Sequence, residues 1–442
     1  MPVNSSEHRT RRVVITGVGM IGPLGNDKET LWQNLSASRT AIGPIQSLPA
    51  DALPVDIAAE ARGFSGRVEE FGPLEGEFKK HVRKGLKVMC RECQMGVAAA
   101  QRALFDAQLG PGKCDPDRSG VVYGSDYMLT EPDEFTSGIL DCLDEPRRFL
   151  FSHWATRGMS KMNPLWLLKY LPNMPASHIA IYNDLRGPNN SITHREAAGN
   201  LAIGEAFRVI TRSHADVMVA GATGTRIHPM KALHAAMGEE LAKADGDPAK
   251  AARPFDLNRR GMVLGEGAGA VVLESLDSAE KRGATIYGEI VAAASSAVID
   301  RTFTPRGDVA VANAMRAALR EAGVAPDRIG HIHAHGLGTR RGDAEEARAI
   351  REVFGEQAET VPVTAAKSYF GNLGAGGGVV ELIASTFALL NNRLFPVLNY
   401  ETPDPECRLN VVRTASDAGN CFLNLSVTPQ GQASCVLVRR FS

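Results

Sequence analysis

The segment Gly187-Pro188-Asn189-Asn190-Ser191-Ile192-Thr193-His194-Arg195-Glu196-Ala197-Ala198-Gly199 reads as a short strand, a small-residue turn and the start of a helix. In that frame a chain aims one side chain into its own interior, and here it is Glu196. A carboxylate is a weak nucleophile. It serves as a general base at neutral pH only if burial raises its pKa, whereas a neighbouring cation lowers it. His194 and Arg195 stand directly before it, and a buried charge demands a partner, so Arg195 is a candidate counter-ion. A second stretch with chemical potential is His333-Ala334-His335-Gly336, where an imidazole at a strand end is either a functional group or a hydrogen-bonded core residue.

The elements that must position these groups alternate between short apolar runs and helical patterns. In the first half, strands are expected at Val13 to Thr16, Gly120 to Tyr123, Val217 to Ala220 and Ala268 to Glu274. Helices are expected around Thr30 to Ser38, from about Leu86 to Ala107 and near Pro175 to Tyr182. The second half repeats the order: strands at Ile286 to Ala293, Ile329 to Ala334, near Val361 and at Ser434 to Val438, with helices at Val309 to Glu321, Asp343 to Phe354 and Gly376 to Leu390. The pattern predicts an α/β fold of parallel strands covered on both faces. A chain of 442 residues exceeds what one core usually holds. The repeated order predicts a duplication, residues 1–275 and 276–442, with the boundary near Leu276 to Gly283. A segment at about 126–174, rich in Phe, Trp, Met and Pro, stands outside the alternation.

Several blocks, in a shared order, carry a family resemblance over nearly the whole chain. They are Arg12-Val13-Val14-Ile15-Thr16-Gly17-Val18-Gly19 with Pro23-Leu24-Gly25, Asp216-Val217-Met218-Val219-Ala220-Gly221, and Arg253-Pro254-Phe255-Asp256 followed by Gly265-Glu266-Gly267-Ala268-Gly269. To these add His333-Ala334-His335-Gly336 with Thr339 and Gly342-Asp343, and Lys367-Ser368 with Gly371. The chain resembles the β-ketoacyl-acyl carrier protein synthases, condensing enzymes of the thiolase superfamily. The resemblance implies a thiolase-like, five-layered αβαβα fold built from two duplicated halves, with catalytic groups meeting between them. It also implies Claisen chemistry, in which a cysteine takes an acyl chain as a thioester and two histidines help decarboxylate malonyl-carrier protein. Carried over by position, the cysteine falls on Glu196, the first histidine on His335, the lysine on Lys367 and the second histidine on Asn372. Asn372 can donate a hydrogen bond to an oxyanion but cannot carry a proton as imidazole does.

Departures surround the site as well. The family's gating phenylalanine falls on Thr428, in a stretch Asn424 to Gln432 that lacks the usual glycine pattern, and of the paired threonines that bind a phosphopantetheine arm only Thr339 remains. The lysine's carboxylate neighbour falls on Glu346, so a buried Lys367–Glu346 pair is one expectation, and an ion pair of Glu196 with His335 is another.

Two readings follow. In the first, the chain is a non-condensing ketosynthase-like subunit of fatty-acid or polyketide biosynthesis, similar to polyketide chain-length factors, working with acyl carrier protein or an acyl thioester as a homodimer or as a heterodimer with an intact ketosynthase. Segment 126–174 would then lie at the subunit interface. In the second it is an atypical 3-oxoacyl-acyl carrier protein synthase-like enzyme in which Glu196, His335, Lys367 and Asn372 promote decarboxylation or base-catalysed Claisen chemistry without an acyl-cysteine. A net charge of −1 argues against nucleic acid or an anionic membrane as principal partner. The lack of a spanning apolar run, and a polar, basic start from Met1 to Arg12, predict a cytoplasmic protein. Seven scattered cysteines fit a reducing compartment, and no cofactor or metal is expected, Cys90 and Cys93 being read as helix-packing residues. The dinucleotide-like spacing Thr16 to Gly22 is read as close chain crossings, since Pro23 and Gly25 interrupt the helix that such a loop needs.

Overall fold

The computed structural model describes residues 11–48 and 54–441, so most of the stretch Met1 to Arg12 lies outside the described residues. The first half runs β1 (Val13–Ile21), α1 (Lys28–Ser36), α2 (Arg91–Asp106), β2 (Ser119–Ser125), α3 (Met174–Asn183), β3 (Asn189–Thr193), α4 (Ala198–Thr211), β4 (Val217–Thr225) and β5 (Leu264–Ser275). The second runs β6 (Gly288–Ala297), α5 (Gly307–Ala322), β7 (His331–His333), α6 (Arg340–Phe354), β8 (Pro362–Thr364), α7 (Gly377–Leu390), β9 (Cys421–Val427) and β10 (Gln432–Arg439).

The strand order is β3-β2-β4-β5-β1 in the first half and β8-β7-β9-β10-β6 in the second, so both halves follow the same path. Directions repeat too. The second strand of each half pairs in parallel with the third and fourth, while the fifth is antiparallel to the fourth and to the first. Each half is therefore a mixed sheet, where the apolar runs alone argued for parallel strands; antiparallel strands buried on both faces lose the alternation that would mark them. The halves join where β1 meets β6 antiparallel, Val13 opposite Ile290.

Five layers result, with α2 outside the first sheet, α5 and α6 outside the second, and α4 and α7 between the sheets. Helix α7, Gly-Gly-Val-Val-Glu-Leu-Ile-Ala-Ser-Thr-Phe-Ala-Leu-Leu, is apolar nearly all round and buried along almost its whole length, as a central helix must be. The chain thus has the thiolase-like α/β fold.

Gly17 and Gly19 lie within β1, against α2. A Cβ on Gly19 would stand 2.2 Å from the Ala99 carbonyl oxygen, and one on Gly17 2.3 Å from that of Ala103. Their spacing therefore serves strand-on-helix packing. Gly19→Ala should cost about 2 kcal/mol or more, because backbone must move to admit the methyl; the check is a lower urea midpoint at unchanged m-value.

Three elements differ from expectation. The helix expected over Leu86 to Ala107 breaks at Met89, which is extended, and α2 begins only at Arg91. Strand β9 occupies part of the stretch read as a gate loop, because its polar residues are satisfied inside: Asn424 donates to Asn200 and to the Gly378 carbonyl. Segment 126–174 holds a helix, Asp133–Leu140, and several short turns, tied together by Phe135, Phe149, Trp154 and Trp166. It leaves Phe151 77% and Met159 58% exposed. Among the described residues no helix is long and apolar enough to cross a membrane, and no cluster of three or more His, Cys, Asp or Glu is placed to hold a metal.

Candidate functional site

Strand β3 runs into a helical turn, Arg195–Ala197, and then into α4. Arg195 adopts φ +48°, a left-handed conformation for a residue with a side chain, and this bend places Glu196 inside the protein, 2% exposed, at the amino end of α4. The helix start favours a negative charge. Asn372 Nδ2 donates to Glu196 Oε1 at 3.1 Å, Arg195 Nε stands 3.5 Å from Oε2, and Arg226 Nη1 stands 3.9 Å from Oε1. Burial alone would raise the carboxyl pKa. Arg195, Arg226 and the Asn372 amide outweigh it and bring Glu196 down to about 2. Glu196 is an ionised carboxylate fixed by cations.

Those cations belong to a larger buried group. Arg226, just past the end of β4, pairs with Glu239 and lies 3.9 Å from Asp126 Oδ2, while Arg195 Nη2 donates to the same Glu239 Oε1 at 2.9 Å. Beside them Lys231 Nζ meets Glu92 Oε2 at 2.8 Å, both side chains buried. Arg226, Glu239 and Asp126 come from three separate segments and escaped the sequence reading. The signal that could have found them is an acid at the end of β2 and an arginine at the end of β4, adjacent strands whose carboxyl ends face the Glu196 turn.

His335 follows β7 and is 3% exposed. Lys367 Nζ lies 3.2 Å from its Nδ1. An ammonium can only donate, so Nδ1 accepts and the proton sits on Nε2, which has no hydrogen-bond partner among the described residues. Burial, then Lys367, holds the imidazole pKa well below its ordinary value, so His335 is neutral. The expected Glu196–His335 ion pair is therefore replaced: the carboxylate takes Arg195, Arg226 and Asn372 instead. The expected Lys367–Glu346 pair is also replaced. Lys367 bonds Glu381 of α7, and Glu346 accepts the backbone N–H groups of His335 and Gly336 at 2.7 and 2.8 Å. Glu346 is thus a bidentate acceptor for two adjacent N–H groups at the end of β7, while the lysine takes Glu381.

Asn372 Oδ1 accepts the Gly374 N–H at 3.0 Å, which fixes the amide with its NH2 toward Glu196. Thr339 and Thr428 line a cleft of about 290 Å³ with His335, Leu337, Glu239 and Val427. Thr428 is turned to its own loop, its Oγ1 accepting the Gln432 N–H at 3.3 Å. The structure thus brings Glu196, Asn372, Arg195, His335 and Lys367 into one centre, and Thr339 and Thr428 line the cleft beside His335. That centre offers a fixed anion and one imidazole N–H for a developing oxyanion, and no thiol is among these groups.

The profile described as "Beta-ketoacyl synthase, N-terminal domain" matches residues 10–279, and "Beta-ketoacyl synthase, C-terminal domain" matches residues 287–401. The chain is 34% identical over 409 residues to "3-oxoacyl-[acyl-carrier-protein] synthase 2" of Synechocystis sp., covering 92% of each. Among solved structures, "The ishigamide ketosynthase/chain length factor" superposes with a TM-score of 0.81 at 27% identity, covering 98% of this chain and 100% of that one. A chain of a type II polyketide acyl-carrier protein in complex with its ketosynthase gives 0.80 at 25% identity, with the same coverage.

Proposed function

The chain belongs to the β-ketoacyl synthase family of fatty-acid and polyketide biosynthesis, and from that premise we propose that it is a non-condensing, chain-length-factor-like subunit that partners an intact ketosynthase. The observation that carries the reading is the state of Glu196. In the family's frame it takes the place of the acyl-accepting cysteine, and Arg195, Arg226 and Asn372 hold it ionised and fixed. With a pKa of about 2 it is too weak a base to draw a proton at neutral pH, and its acyl adduct would hydrolyse. The second-histidine position is filled by Asn372, whose amide is already turned toward that carboxylate.

Two surfaces support a subunit partner. Strand β3 forms the outer edge of the first sheet, a row of Asn189, Asn190, Ser191, Ile192 and Thr193 without the charges or proline that usually block edge pairing. Segment 126–174 shows exposed Leu140, Phe149, Phe151, Met159, Leu165 and Leu167. The cleft lined by Thr339, Thr428 and His335 suits the arm of an acyl carrier protein, the partner named for one of the similar solved structures.

A second reading, thioester decarboxylation without condensation, has one observation in its favour: the His335 Nε2–H is free to polarise a carbonyl. One experiment separates them. Purified alone, the protein is expected to release no carbon dioxide from malonyl-carrier protein, and co-expressed with a Cys-His-His ketosynthase it is expected to copurify at equal stoichiometry. Carbon dioxide release that disappears in Glu196→Ala would replace the first reading with the second.

A further inference from the structure

We propose that the ion cluster of Asp126, Glu196 and Arg226, all buried, with the partly buried Arg195 and Glu239, closes this chain's own interior to hydrocarbon, so that its cleft admits a carrier arm bearing a short acyl group and no long apolar chain. The proposal rests on the reading that a thioester would approach residue 196 from that cleft.

The argument starts from what fills the space around Glu196. Arg226 is 1% exposed and lies among three carboxylates: it bonds Glu239 and stands 3.9 Å from both Glu196 and Asp126. Arg195 shares Glu239 from the other side. The Lys231–Glu92 pair extends this charged layer to the amino end of α2. A methylene chain advancing past residue 196 would have to lie against desolvated charges or part the pairs, and an ion left buried without its partner is the most costly arrangement a protein interior offers. Arg226 cannot swing aside without abandoning all three acids.

The atoms without hydrogen bonds point the same way. Glu196 Oε2, Asp126 Oδ2 and the Nε atoms of Arg195 and Arg226 are buried within the cluster without a hydrogen-bond partner among the described residues, Glu196 Oε2 and Arg195 Nε meeting only as an ion pair at 3.5 Å and Asp126 Oδ2 standing 3.9 Å from Arg226. Such a lining is satisfied by water or a small polar group and repelled by CH2 groups. The members are drawn from the end of β2, the turn before α4, the end of β4 and the segment after the helix Pro229–Gly238, so the barrier is built from several rigid elements rather than one movable side chain.

The test is a series of acyl-pantetheine thioesters, acetyl to dodecanoyl, titrated by calorimetry into the full-length wild-type protein and into the Asp126→Leu/Arg226→Met double variant. An open hydrocarbon channel would tighten binding roughly fourfold per added methylene. The wild type is expected to bind the acetyl and butyryl thioesters measurably and to gain less than about twofold from butyryl to dodecanoyl; no detectable binding of the short thioesters overturns the proposal. The double variant should acquire a dependence on length. A wild-type series that climbs with every methylene overturns the proposal, and so does a folded double variant as indifferent to length as the wild type. Arg226→Gln serves as the milder substitute if circular dichroism shows the double variant unfolded. Because binding is read on this chain alone, a failure here leaves the copurification result standing, and a failure to copurify leaves the length series readable.

Discussion

Glu196→Ala is expected to lower the stability of the folded protein by about 3 kcal/mol at pH 7, because it takes from Arg195 and Arg226 one of the carboxylates that neutralise them and leaves a cavity where the CH2 and carboxylate stood. The pH dependence carries the signature. Glu196 titrates near 2 in the folded protein against an ordinary 4.5, so between those values the unfolded chain holds the proton and the folded chain does not. Stability from this group therefore rises with pH through that window, is fully present above about pH 5 and is lost as pH falls toward 2; the shift of two to three pH units also corresponds to about 3 kcal/mol. Urea titrations at a series of pH values should show the gap between wild type and variant widest near neutrality and narrowing below pH 4. Equal stability at pH 7 would mean that Glu196 is not held by its cations.

The second large effect concerns Lys367 and Glu381. Lys367→Met should cost about 4 kcal/mol, since it leaves the Glu381 carboxylate buried in α7 without its cation, and Glu381→Leu should cost a similar amount for the converse reason. The double replacement puts two apolar side chains of fitting size where the pair was, and should recover most of the loss. A double-mutant cycle measured by chemical denaturation should therefore return a coupling of about 2 kcal/mol or more. A coupling near zero would show that the ammonium draws its support from His335 and not from Glu381. His335 would meanwhile lose the donor that fixes its tautomer, which 15N chemical shifts of the imidazole would register in Lys367→Met.

The sequence made the fold and part of the centre legible for identifiable reasons. The turn before α4 could be read because glycine, proline and small residues mark a chain that bends and then packs tightly, and the charge of Glu196 stands out in that setting. His335 could be read because it sits between a β-run and a glycine. Of the counter-ions only Arg195, next to Glu196 in the chain, could be. Arg226 and Glu239 are ordinary charged residues in their local sequence, and only the adjacency of β2 and β4, which no local pattern encodes, brings Asp126 and Arg226 to Glu196. Glu381 was hidden for the opposite reason: a single acid in an otherwise apolar helix reads as a surface position, yet α7 is buried all round at Glu381. The polar residues of β9 misled in the same way, because Asn424 finds its partners on α4 and in the first turn of α7 rather than in water.

The two central helices have a consequence for how the chain acquires its structure. Helix α4 belongs to the first half but rests on β6 and β10 of the second, and α7 belongs to the second half but rests on β4 and β5 of the first. Each half lends the other its middle, so neither can shield its own apolar helix from solvent before its counterpart arrives. The nascent amino-terminal portion must wait, sticky and unfinished, until β10 has been synthesised, which makes it a natural client for whatever sequesters greasy intermediates in the cell.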